Sequence, residues 1–176
     1  MNKLVKYGIA LGLFLIIFLG KTEKVFSQDK DYKAYTLFLY NFMKYIEWPD
    51  ATGDFVIGIV GDSPIKQELI TLAETKKAKG RKIIVKVINV PEDAITCSMI
   101  FIPSSKSSQL KSITEKIKGK PVLIVAEREG LAKKGAAISF AVNDDDVLQF
   151  DFNKSVLESQ SLKIANLLIK LGELVG

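Results

Sequence analysis

The stretch Phe55-Val56-Ile57-Gly58-Ile59-Val60-Gly61-Asp62-Ser63-Pro64 decides the architecture. Its first six residues form an apolar run with no polar interruption, which reads as a short strand. Gly61-Asp62-Ser63 is a turn, and Pro64 suits the start of a helix, expected to run to about Thr75. The pattern then repeats. Lys82–Asn89 is a strand, and Pro91-Glu92-Asp93 is a loop. Met99–Ile102 is a buried strand ended by Pro103-Ser104-Ser105. Ser107 or Ser108 caps a helix through Ile117, Gly119 stops it, and Pro121–Ala126 is the next strand. Unbroken apolar strands alternating with helices imply a parallel sheet covered on both faces.

Outward from this centre, Glu129–Lys134 reads as one helical turn. Ala136–Val142 and Val147–Phe152 alternate in polarity and are joined by Asn143-Asp144-Asp145-Asp146, so they form an antiparallel hairpin. A long amphipathic helix is expected from about Lys154 to Leu174. Before the first strand, residues 30–47 read as a helix stopped by Pro49, with Tyr35, Phe38, Leu39, Phe42, Tyr45 and Ile46 on one face. Seven of the 16 aromatic residues lie between Tyr32 and Trp48, and Leu37, Tyr40 and Trp48 fall partly off that face. A helix apolar on more than one side is either sandwiched or meets a partner. The expected fold is one three-layer α/β domain. It has a mixed, mostly parallel sheet with a C-terminal antiparallel hairpin and helices on both faces.

The N-terminus reads as an export signal. Lys3 and Lys6 precede the uncharged run Tyr7–Gly20, which at 14 residues suits a signal-peptide core and is short for a membrane span of about 20. Cleavage is expected between Ser27 and Gln28, giving a signal peptide at 1–27 and a domain at 28–176; retention as an N-terminal membrane anchor is the alternative. The charged patch Lys21-Thr22-Glu23-Lys24 is atypical of a cleavage region. Without residues 1–27 the net charge falls from +5 to +2, so the basic balance does not point to nucleic acid. Lys76–Lys82 is the one dense basic run, and it reads as a solvated loop ahead of a phosphate or lipid contact.

Composition restricts the chemistry. The chain has no histidine and one cysteine, Cys97, so a zinc site, a Cys–His or Ser–His nucleophile pair and an internal disulfide are all excluded. Cys97 precedes an apolar run and is expected to be buried as a small hydrophobe. Gly58-Ile59-Val60-Gly61-Asp62 has neither the dinucleotide-binding spacing nor a P-loop lysine. Asp144-Asp145-Asp146 lacks the glycine and distal glutamate of a calcium loop and reads as a hairpin turn. No cofactor or metal is implied. In open parallel sheets, ligands bind beyond the carboxyl ends of the strands. Here those ends carry Asp62, Ser63, Ser104, Ser105, Glu127 and Arg128, a candidate polar crevice. Carboxylate chemistry at Asp62 or Glu127 is the remaining route to an enzyme.

Several blocks, in order along nearly all of the chain after the leader, resemble the YfiR-like family of periplasmic proteins. They are Leu39–Pro49 (LYNFMKYIEWP), Gly58–Pro64, Cys97–Ile102, Pro121–Val125 with Gly130-Leu131-Ala132 and Gly135, Phe150-Asp151-Phe152-Asn153, and Leu162–Leu168. The resemblance implies a non-enzymatic regulator that binds the outer part of an inner-membrane diguanylate cyclase and holds it inactive. Release raises cyclic di-GMP and promotes biofilm. Family members also use disulfides, but Cys97 has no internal partner, so that device does not carry over. A sensor kinase is another membrane signalling partner with a periplasmic domain, and a homodimer and a small ligand stay open. Within the first block, Tyr40, Asn41, Glu47, Trp48 and Pro49 are the candidate partner-binding residues, since Trp and Tyr are favoured in interface centres. The competing reading is that Trp48-Pro49 locks the helix end against the sheet. A small-molecule sensor using the strand-end crevice is the alternative function.

Overall fold

The computed structural model describes residues 30–49 and 52–176. The expected leader and its expected cleavage site lie outside these residues. Helix α1 (Tyr32–Tyr45) is capped by Asp31, whose carboxylate accepts from the backbone N–H groups of Lys33 and Ala34. Then follow β1 (Ile46–Glu47), β2 (Phe55–Val60), α2 (Ile65–Thr75), β3 (Lys77–Ala78), β4 (Arg81–Ile88) and β5 (Met99–Ile102). Next come α3 (Leu110–Lys116), β6 (Leu123–Ala126), β7 (Ile138–Val142), β8 (Leu148–Phe152), α4 (Lys154–Ser159), β9 (Lys163–Ile164), α5 (Asn166–Ile169) and β10 (Glu173–Leu174).

Eight strands make one sheet in the order β10-β8-β7-β6-β5-β2-β4-β3. The pairs from β7 through β4 and the β10–β8 pair are parallel; β7–β8 and β3–β4 are antiparallel hairpins. The expected mixed, mostly parallel α/β sheet is what the chain forms. Alternation sorts the strand residues between two cores. Phe55, Ile57, Ile59, Met99, Phe101, Leu123 and Val125 face α1 and α2. Val60, Ile100, Ile102, Ile124 and Ala126 face the opposite layer, built by α3 and the 3₁₀ segments Pro91–Thr96 and Ala132–Lys134. A strand apolar at every position is therefore one clothed on both sides.

Several boundaries differ from expectation. Helix α1 ends at Tyr45, before Pro49, because Ile46 and Glu47 are extended and pair with Ile164 and Lys163 in a separate two-stranded ladder. Ser104–Gln109 is a 3₁₀ segment, and α3 follows it with no side-chain cap, so neither Ser107 nor Ser108 caps it. Lys76–Lys82 is not only a solvated loop: it contains β3 and the tight turn to β4, with Lys79 at φ 50° and Gly80 at φ 84°.

The long C-terminal helix is not formed. The segment breaks into α4, β9, α5 and β10. Ser161 takes a left-handed φ of 57°, which a helix interior does not tolerate. Downstream, Gly172 backs so closely onto Phe150 that a β-carbon would lie 2.2 Å from the ring. Leu157, Leu162 and Leu168 are buried, while Leu167, Ile169, Leu171 and Leu174 are exposed. The apolar residues thus serve two surfaces rather than one helical face.

Candidate functional site

The strand-end residues come together in part. Glu127 follows β6 and is only 6% exposed. Its Oε2 accepts the backbone N–H of Ser104 at 2.6 Å, at the start of the 3₁₀ segment after β5. Its Oε1 accepts the phenolic O–H of Tyr32 at 3.0 Å. Tyr32 opens α1 and was not among the sequence candidates. Burial, followed by the adjacent Glu127 carboxylate, pushes the Tyr32 phenol up to about 12. Ser63 is buried beside it, and its side chain works against that shift. Asp62, Ser105 and Arg128 point to solvent. The crevice is therefore bridged by the first turn of α1, with Glu127 tying three elements together. Glu127 is held by hydrogen bonds to Tyr32 and Ser104, the arrangement a buried carboxylate requires.

The second candidate lies at the opposite, N-terminal end of the strands. Trp48 donates its indole N–H to the Ser98 carbonyl at 3.0 Å and meets Phe55 edge-on at 5.0 Å between ring centres. The Arg81 guanidinium covers the Phe55 ring at 5.2 Å. Arg81 also clamps the loop before β2, donating to the carbonyls of Gly53 (2.9 Å), Asp54 (2.7 Å) and Thr52 (3.2 Å). Burial lowers the Arg81 pKa. Around this stack is a cavity of about 260 Å³ lined by Met43, Glu47, Trp48, Phe55, Ala78, Lys79 and Arg81. It combines an aromatic wall, a carboxylate and two cations. Of the five motif candidates, Glu47 and Trp48 line this cavity; Pro49 is exposed, and Tyr40 and Asn41 are half-buried on α1.

Phe55, Lys79 and Arg81 were missed as site residues because two lie in the basic run and one in an apparently ordinary strand. The signal was there: Lys79-Gly80 between alternating runs is a hairpin-turn pair, and a hairpin at that point brings Arg81 back beside β2.

A third feature is an apolar surface. Leu167 (49%), Leu171 (62%) and Leu174 (57%) are exposed on α5, β10 and the turn between them. Leu37, 61% exposed, projects from α1, which packs directly on α5. Scattered exposed leucines are ordinary; here they fall on neighbouring elements. The opposite sheet edge, β3, is guarded by Lys76, Lys77 and Lys79, a common defence against edge-to-edge pairing.

Among the described residues no group of three or more His, Cys, Asp or Glu is arranged to hold a metal ion, and no helix is long and apolar enough to cross a membrane. No curated protein matches the chain. Among solved structures, an ABC domain from Streptococcus pneumonia in complex with L-Trp aligns with a TM-score of 0.49 at 10% identity. The alignment covers 69% of this chain and 55% of that one, so the chain spans about half of that protein's length. The family model described as YfiR/HmsC-like matches residues 32–173, from the first residue of α1 to the first of β10. The chain belongs to the YfiR/HmsC-like family, whose members are regulatory periplasmic proteins rather than enzymes.

Proposed function

We propose that this chain is an exported regulatory binding protein that controls a membrane signalling partner, a diguanylate cyclase or a sensor kinase, by protein–protein contact. In this reading residues 1–27 direct export and are removed after Ser27, and residues 28–176 act in the periplasm. The observation that carries it is the exposure of Leu37 on α1 and of Leu167, Leu171 and Leu174 on and after α5, the helix that packs on α1. Tyr40 and Asn41 on α1 extend that surface towards Glu47, Trp48 and Pro49. Crosslinking in the native cell envelope, followed by mass spectrometry, tests it. A membrane signalling protein with a periplasmic domain should be captured by the wild type and lost with Leu171→Asp, whose fold should be unchanged because the site is exposed. Equal capture by the variant excludes this surface. No specific capture, from protein shown to be exported and folded, excludes a stable partner.

The cavity beside Trp48 favours a second reading, a small-molecule sensor. Its ligand would carry an apolar body for the aromatic wall and charged groups for Glu47, Lys79 and Arg81; the strand-end residues Asp62, Ser63, Ser104, Ser105, Glu127 and Arg128 are the other place such a ligand would sit. Trp48 is the single tryptophan and lines the cavity, so its fluorescence reports occupancy directly. A saturable change on titration, lost with Lys79→Glu, supports the sensor; a flat response across small zwitterions and organic anions removes it.

A further inference from the structure

Asp151 belongs to the Phe150-Asp151-Phe152-Asn153 block, yet it lines neither site described above. It is 8% exposed, between Phe150 and Phe152, whose rings face the α1 core. Alternation sends Asp151 to the other face of the sheet. There it sits in a cross-strand row: Ser139 of β7 is its partner on one side and Glu173 of β10 on the other. Residues directly opposite in a ladder share a face, so the carboxylates of Asp151 and Glu173 are neighbours, and like charges so placed weaken the pairing. Glu129, from the loop after β6, adds a third negative charge, and Lys133 of the following 3₁₀ segment opposes them with a positive one. The Ser139 hydroxyl accepts the N–H of Ala132 and keeps its own hydrogen to donate.

β10, like β3 at the other end, is a short edge strand of the sheet. It has two residues, lies at the edge and pairs only with β8. Its hold rests on that short ladder, on the bond from the Val175 N–H to the Phe152 carbonyl at 3.0 Å, and on the seat of Gly172 against the Phe150 ring.

We propose that β10 is a proton-sensitive strap: ionised Asp151 beneath it loosens its pairing, and protonation of Asp151 seats it. An ionised carboxylate with few donors gains hydration if the covering strand lifts, whereas a neutral carboxyl does not. Burial first, then Glu173 and Glu129, raise the Asp151 pKa, against a smaller opposing pull from Lys133. A raised carboxylate pKa in the folded state means that the strap gains stability as pH falls through that value and loses it above. Because Leu174 lies on β10 and Leu171 just before it, acidification would fix the geometry of the apolar surface. That consequence rests on the function proposed above; the strap itself does not.

Hydrogen exchange of the isolated protein tests it without a partner. Amides of residues 173–175, corrected for intrinsic rates, should exchange severalfold more slowly at about pH 4, in the ordinary carboxylate range, than at pH 7.5. At pH 7.5, Asp151→Asn should reproduce the slow rate and remove the pH dependence, and Lys133→Ala should speed exchange. Gly172→Ala, which drives a β-carbon into Phe150, supplies the released state for calibration. Exchange that is pH-independent in the wild type, or unchanged in Asp151→Asn, overturns the proposal. Either result leaves partner capture untouched, so the two ideas fail separately.

Discussion

The indole N–H of Trp48 and the carbonyl of Ser98 meet at 3.0 Å, and that same carbonyl also accepts the N–H of Leu123. One oxygen thus joins the family's aromatic motif to the two central strands β5 and β6. Ser98 is bound on its other side too, its N–H donating to the Val56 carbonyl at 2.8 Å. The most distinctive residue of the first helix block is therefore anchored in the sheet and also lines a cavity.

Trp48→Phe should keep the edge-on contact with Phe55 and lose only the Ser98 bond, costing about 1 kcal/mol. Trp48→Ala should cost about 3 kcal/mol, because the ring is removed as well. Urea denaturation of the two variants separates these effects. Equal costs would mean that the hydrogen bond, not the packing, fixes the motif.

Tyr32→Phe removes a donor from a buried carboxylate and should lower stability by about 1.5–3 kcal/mol at neutral pH. The wild type should also carry an alkaline signature. The Tyr32 phenol titrates at about 12 when folded and 10.0 otherwise. Its contribution is fully present below pH 10 and is lost as pH rises through about 12. Thermal melts at pH 9 and pH 11 should show a smaller drop in Tyr32→Phe than in the wild type. An identical drop would place the alkaline sensitivity elsewhere, Tyr35 being the next candidate because burial raises its pKa too.

How much of this was legible in the sequence depends on the range of the interactions. The strands Phe55–Val60 and Met99–Ile102 could be read because continuous apolar runs report burial on two faces locally. The hairpin β7–β8 could be read because alternation and a polar turn are also local. The C-terminal segment could not. Its leucines fit a helical period, but Lys163–Ile164 pairs with Ile46–Glu47, more than 100 residues earlier in the chain. Strand pairing at that separation leaves no local trace. The same holds for the sites. Ser104 and Glu127 were picked out by the topology rule for strand ends, whereas Tyr32 reaches Glu127 only through the path α1 takes over the sheet.

Asn153 has two jobs that substitutions can separate. Its side-chain oxygen accepts the Val156 N–H and caps α4, and its amide nitrogen donates to the Ala132 carbonyl at 3.0 Å. Asn153→Asp should retain the cap and lose the donor. Asn153→Ala loses both, at a cost of about 1–3 kcal/mol, combining a cap and a hydrogen bond. Chemical denaturation should rank wild type above Asp and Asp above Ala. If Asp is as damaging as Ala, the bond to Ala132 outweighs the cap.

Gly58 and Cys97 make the sharpest test of packing on the face opposite α1. A β-carbon on Gly58 would lie 2.6 Å from the Cys97 sulfur, with two Ile88 carbons at 3.4 Å. Cys97 is buried, so its sulfur has little room to move. Gly58→Ala alone should therefore destabilise by about 1–3 kcal/mol, the usual cost of overpacking. Cys97→Ala alone should cost about 1 kcal/mol through lost contacts. Combined, they should cost less than their sum, because the alanine methyl then enters the space the sulfur vacates. In the Cys97→Ala background, the added methyl should even be neutral or favourable, since an interior glycine is weaker than alanine by roughly 0.5–1 kcal/mol. A double-mutant cycle read by urea denaturation measures that reversal of sign. Additive costs would show that Ile88, rather than the sulfur, fixes glycine at this position.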